Sequence, residues 1–101
     1  MSKKKKQIRE NFRNEVFSRD ENKCRTCGAE NVRLDAHHIT DRNEMPNGGY
    51  VKENGISLCD DCHIKAEVWH ISNKENFEDG YHPNDLYLLI NSNYDLAYEK
   101  S

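Results

Sequence analysis

The chain has 101 residues, 35% of them hydrophobic and 33% charged, with a net charge of -3 at pH 7. That length fits one compact domain over 1–101, and so little apolar material leaves a thin core that needs a staple. The negative net charge argues against a protein that coats nucleic acid by bulk electrostatics, and "LYLLI" at 86–90 falls far short of the roughly 20 residues of a membrane span.

The first quarter is nevertheless basic: Lys3 to Lys6, Arg9, Arg13, Arg19, Lys23 and Arg25 lie there, while acids are dense around 60–79. The lysine run reads as a solvated tail over 1–7. Residues 1–20 hold no unbroken apolar run of the kind a secretory signal needs, so a reducing, cytoplasmic setting is expected. Ile8, Phe12, Val16 and Phe17 recur at helical spacing and predict an amphipathic helix over 6–19 that packs through those four side chains. "CRTCG" at 24–28 looks like a tight metal knuckle, its glycine relieving the turn.

A short strand, "VRLDAHHI" at 32–39, follows. The next stretch, "TDRNEMPNGGYVKENG", is loop-like, and "GISL" at 55–58 suits a second strand. "CDDCHIKAEVWH" then predicts a helix with Ile64, Val68 and Ile71 on its buried side and Trp69 in the core. Asn84 is the expected N-cap of a helix at 85–90, and "YDLAYEK" adds a last helical turn or two, making 81–101 a C-terminal helical extension.

Two Cys-x-x-Cys pairs, Cys24 with Cys27 and Cys59 with Cys62, are the arrangement in which two knuckles give four thiolates to one tetrahedral ion. Zn2+ is the expected occupant, in a structural role that replaces part of the missing core. Disulfides are disfavoured by a reducing compartment, and a redox pair by the lack of a βαβ pattern. Iron accepts the same four sulfurs, but an electron carrier would leave the histidines unexplained.

Lined up, Cys-x-x-Cys-Gly, "AHHI", "ENGISLC" and "CDDCH" resemble the HNH endonuclease family over about residues 13–67. The resemblance implies an α+β fold: a small ββα-metal (His-Me finger) domain stapled by the four-cysteine zinc site, with flanking N- and C-terminal helices. It implies catalysis of DNA phosphodiester hydrolysis, with His38 as the general base toward water, a task that an imidazole of pKa about 6.5 suits. His37 and His63 fall at the family's positions for a divalent cation, Mg2+, Mn2+ or another. Asn54 matches the central Asn that spans the loop and orients the base histidine.

On a regular strand residues 37 and 38 point to opposite faces, so the pair is expected where the strand ends or bends. Two imidazoles are few ligands, and Glu67, four residues beyond His63 on the same helix face, is a candidate third. Arg19, Arg25 and Arg42 are candidates for pinning backbone phosphates, against a plain solvated role. His70 and His82 lie outside the motif and read as surface or packing residues.

The short stand-alone form resembles phage-encoded members, which implies a bacterial or phage-infected cell. It also implies double-stranded DNA as partner, no membrane, and either a second copy of the chain or phage packaging proteins as companions. The alternative from another class is a zinc-stapled nucleic-acid-binding or adaptor module that cleaves nothing, since a fold by itself does not carry activity.

Overall fold

Leu34–His38 (β1) and Gly55–Cys59 (β2) pair antiparallel, in a register running from Leu34 opposite Cys59 to His38 opposite Gly55. Because paired residues share a face and neighbours alternate, Asp35, His37, Ile56 and Leu58 point one way and Ala36, His38, Gly55 and Ser57 the other. The two faces receive different helices. The computed structural model describes residues 3–101, with α1 (Lys3–Arg19) before the hairpin and α2 (Asp60–Ile71), α3 (Pro83–Leu89) and α4 (Tyr94–Lys100) after it. This is the expected small α+β architecture, a strand–loop–strand–helix core between flanking helices. No helix among the described residues is long and apolar enough to cross a membrane.

α1 lies on the face of His38 and Gly55. A Cβ on Gly55 would fall 2.6 Å from Val16 and 2.7 Å from Phe12, so a hydrogen at this position is what lets the helix sit directly on the backbone. Of the four apolar residues expected to pack, Phe12 and Val16 are buried, Phe17 is half-buried and Ile8 is exposed. A ribbon of two strands is too narrow to cover more than one i, i+4 stripe of a helix. The helix also starts earlier than the apolar period suggests: Lys3 to Lys6, expected as a tail, are its first residues, since straight-chain side chains lose little rotamer freedom in a helix. Residues 1 and 2 of that expected tail lie outside the described residues.

Just after α1, the buried Asp20 carboxylate accepts from Arg19 on both oxygens at 2.8 Å and from the Ser57 backbone N–H at 2.9 Å. Arg19 also donates to the carbonyls of Lys52 and Gly55. This charged clamp ties the end of α1 to the far strand.

The main core lies on the other face, where Ile56 and Leu58 meet Ile39, Met45, Ala66, Leu86, Tyr87, Ile90 and Ala97. On α2 the buried residues are Cys62 and Ala66, whereas Ile64 and Ile71, expected inside, are largely exposed. The side of α2 that meets the hairpin carries Cys62, His63 and Glu67 beside Ala66, so its inward stripe is not the apolar one. Trp69, expected in the core, is half-buried with its ring 4.6 Å from that of His82. α3 is capped by His82, whose Nδ1 accepts from the Asn84 N–H at 3.0 Å with Pro83 in the first turn; Asn84 is therefore not the cap.

Candidate active site

The four thiols come together at the end of the hairpin. One ligand atom from each of Cys24, Cys27, Cys59 and Cys62 lies within 4.8 Å of the others, and all four are free cysteines. The Cys27 and Cys59 sulfurs are 3.7 Å apart. Bonds of about 2.3 Å to a central ion in a tetrahedron require sulfurs about 3.8 Å apart, so the spacing fits one shared metal. A disulfide needs about 2.05 Å. Tyr81 donates to the Cys62 sulfur at 3.2 Å and Thr26 lies 3.3 Å from the Cys24 sulfur, the hydrogen bonds that anionic sulfur attracts. Gly28, at φ +79°, makes the knuckle turn, and its N–H returns to the Cys24 carbonyl.

β2 runs directly into α2, so Cys59, Cys62 and His63 are positioned by one rigid junction. On a helix Cys62 and His63 are about 100° apart and serve two different groups. His63 turns toward the hairpin face that carries Asp35 and His37. Its Nδ1 lies 3.2 Å from Asp35 Oδ2, and its Nε2 lies 3.2 Å from Glu67 Oε1. His37 Nδ1 is also 3.2 Å from Glu67 Oε1.

His37, His63 and Glu67 therefore present three ligand atoms within 4.8 Å of one another. Burial pushes the His37 pKa down, against the pull of Glu67, so the ring is neutral and its Nδ1–H donates to the carboxylate. That hydrogen bond, outweighing burial, holds the Glu67 carboxyl down to about 2. Each His63 nitrogen thus faces a carboxylate oxygen, and a cation between Nε2 and Glu67 would take the place of the hydrogen bond there. Two imidazoles and one carboxylate form a donor set suited to a divalent ion that keeps open positions. The three residues line a cavity of about 310 Å³ together with His38, Arg42 and His70.

His38 reaches that cavity from the opposite side. Residues 37 and 38 are consecutive on β1, and their rings point to the two faces of the hairpin: the pair sits at the strand's end with no bend to unite it. The His38 ring stacks on Phe12 at 4.5 Å and meets the Tyr50 ring edge-on at 4.8 Å. Its Nε2 is buried without a hydrogen-bond partner. Burial, with help from the Arg42 charge, lowers its pKa to about 4, so the ring is neutral at pH 7.

Asn54, fully buried, spans the loop, and none of its side-chain hydrogen bonds goes to the His38 ring. Its Oδ1 accepts from the Thr40 N–H at 3.0 Å and the Tyr87 hydroxyl at 2.7 Å, and its Nδ2 donates to the carbonyls of Thr40 at 3.1 Å and Gly49 at 3.3 Å. The Asn54 carbonyl accepts from the Ile39 N–H at 2.9 Å. It thus fixes the backbone immediately after His38, and orientation of the ring falls to Phe12 and Tyr50. Of the three arginines, Arg42 stands in the cavity wall with Nη1 3.0 Å from the Tyr50 hydroxyl. Arg19 and Arg25 do not line it: Arg19 belongs to the Asp20 clamp, and Arg25 lies 3.6 Å from Asp20 and donates to the Leu89 carbonyl.

The family described as HNH endonuclease has a sequence model that matches residues 24–68. Residues 24–68 are thus similar to the HNH endonuclease family. Neither a curated protein nor a solved structure matches the chain. The family is one of metal-binding nucleases acting on nucleic acid, and both candidate metal groups lie within the matched HNH segment.

Sequence reasoning missed Asp35, His70 and Tyr87. Asp35 is two residues before His37 on the same strand face, and His70 is three beyond Glu67 and seven beyond His63 on the same helix stripe, so local periodicity carried both signals. His70 Nε2–H donates to the His38 carbonyl at 3.2 Å, and its ring lies 5.3 Å from that of His37, a packing role that also places it in the cavity wall. Tyr87, 33 residues from its partner Asn54, left no local trace.

Proposed function

We propose that the protein is a metal-dependent endonuclease that hydrolyses phosphodiester bonds in DNA. One observation carries this reading: His37, His63 and Glu67 converge as a three-ligand group in a cavity that also holds a neutral imidazole, His38, and a guanidinium, Arg42. A divalent cation held by His37, His63 and Glu67 supplies neutralisation of charge on the phosphate and the departing oxygen. His38 takes the proton of the attacking water, its lone pair kept available by burial. Arg42 offers bidentate hydrogen bonds to a phosphate oxygen beside it. Asp35 keeps the His63 proton on Nδ1, leaving Nε2 for the cation. The four-cysteine site takes Zn2+ and serves structure, since all of its ligand positions are protein thiols.

Purified protein with Mg2+ or Mn2+ is expected to nick supercoiled plasmid, and His38→Ala and His38→Gln to abolish nicking with zinc content and melting retained. Undiminished cleavage by both variants removes His38 from the base role. The rival reading, a zinc-stapled binding or adaptor module, draws on one feature, the sandwiching of His38 between Phe12 and Tyr50 with a buried Nε2. A folded, zinc-loaded protein that cuts nothing in any divalent metal decides for that reading.

A further inference from the structure

Lys5, Arg9 and Arg13 recur every four residues along α1, so their side chains form one stripe with steps of about 6 Å along the helix axis. Two further cavities lie along this stripe. One, of about 650 Å³, is walled by Lys5, Arg9, Arg42 and Tyr50; the next, of about 340 Å³, by Arg9, Arg13, Arg42, Tyr50, His38 and His63. The first two share Arg9, Arg42 and Tyr50, and the second shares His38, Arg42 and His63 with the cavity of the three-ligand group. The three are therefore one groove, running from the start of α1 to the candidate cation site.

We propose that this groove is the track of the substrate backbone: Lys5, Arg9, Arg13 and Arg42 take successive phosphates of one strand of a duplex and lead it to His38. The inference rests on the nuclease reading for the identity of its ligand. Four cations line the track against three acids, Asp35, Asp41 and Glu67, and Glu67 belongs to the candidate cation group. The chain as a whole carries -3, so attraction for a polyanion has to be local, and this groove concentrates the positive charge that the total conceals. Tyr50 accepts hydrogen bonds from both Arg9 and Arg42, and these, outweighing burial, lower its phenol pKa; the ring thereby ties the helix cations to the loop cation. A stripe spanning about 12 Å covers three or four nucleotides at about 3.4 Å per step. Binding through the track is indifferent to sequence.

The test uses the full-length, zinc-loaded His38→Ala protein with no added divalent metal, and a fluorescent duplex titrated at several salt concentrations. Adding Lys5→Gln, Arg9→Gln and Arg13→Gln is expected to reduce the slope of log K against log salt by about 0.9 per contact removed. Lys23→Gln, Lys65→Gln and Lys100→Gln, which remove the same charge elsewhere, are expected to leave it unchanged. Should the triple variant melt early, Arg13→Gln alone decides, with an expected loss of about 0.9. A slope retained by the track variants, or lost equally by the controls, overturns the track. Wild-type protein that shows the slope but never nicks DNA overturns only the nuclease reading. Wild-type protein that nicks DNA while the track variants bind as it does overturns only the track.

Discussion

Asn54→Ala probes the joint between loop and hairpin most directly. The substitution removes all four side-chain hydrogen bonds of a residue with no solvent exposure. Tyr87 keeps a partner in Thr40 Oγ1 at 2.6 Å, so the groups left bare are the Thr40 N–H and C=O and, through the longer 3.3 Å contact, the Gly49 C=O. A buried polar group stripped of its partner costs about 1–3 kcal/mol, so counting the two Thr40 groups fully and Gly49 in part gives about 4 kcal/mol. That is a large fraction of the roughly 5–15 kcal/mol by which a domain is stable. Tyr87→Phe is the comparator: Asn54 Oδ1 retains Thr40 N–H, only Thr40 Oγ1 loses a partner, and the expected cost is about 1 kcal/mol. Urea unfolding followed by Trp69 fluorescence, with stoichiometric zinc throughout, reads both as midpoint shifts at a common slope. An Asn54→Ala protein within about 1 kcal/mol of wild type, or a Tyr87→Phe cost as large as that of Asn54→Ala, refutes the assignment of Asn54 as the loop's hydrogen-bond hub.

Cys59→Ser is expected to lose bound zinc and to melt far earlier, because the remaining core is thin; elemental analysis and thermal melting check it, and an unchanged melting temperature contradicts the staple. Asp35→Asn removes the charge behind His63 and is expected to weaken divalent-metal binding about 10- to 100-fold, read by Mn2+ titration, with equal affinity contradicting the positioning role. His38 provides a pH signature: its pKa falls from an ordinary 6.5 to about 4 on folding. Above 6.5 both states are neutral and nothing is lost; as pH drops from there toward 4 the unfolded chain takes up the proton first, so stability falls and the loss is complete below 4. Urea midpoints at pH 7 and pH 4.5 are expected to differ less in His38→Gln than in wild type, and an identical pH dependence in the two contradicts the burial.

The two cysteine pairs, the adjacent histidines and the order strand, loop, strand, helix were all legible in the sequence, because ligand spacing within a knuckle and side-chain period within an element are local properties. So was the third member of the candidate cation group, Glu67, since one helical turn separates it from His63. Docking decided the rest. Nothing local says that Arg19 and Arg25 turn inward to Asp20 and the Leu89 carbonyl, 64 residues away in the case of Arg25, while Arg42 remains at the cavity. Nor does it say that the outward isoleucines of α2 give up the inner face to Cys62 and Ala66. Which buried polar group satisfies which backbone is settled only when α1 and the C-terminal helices close over the two sides of the hairpin. That closure sends His37 to α2 and His38 to α1, and leaves the cavity as their common ground.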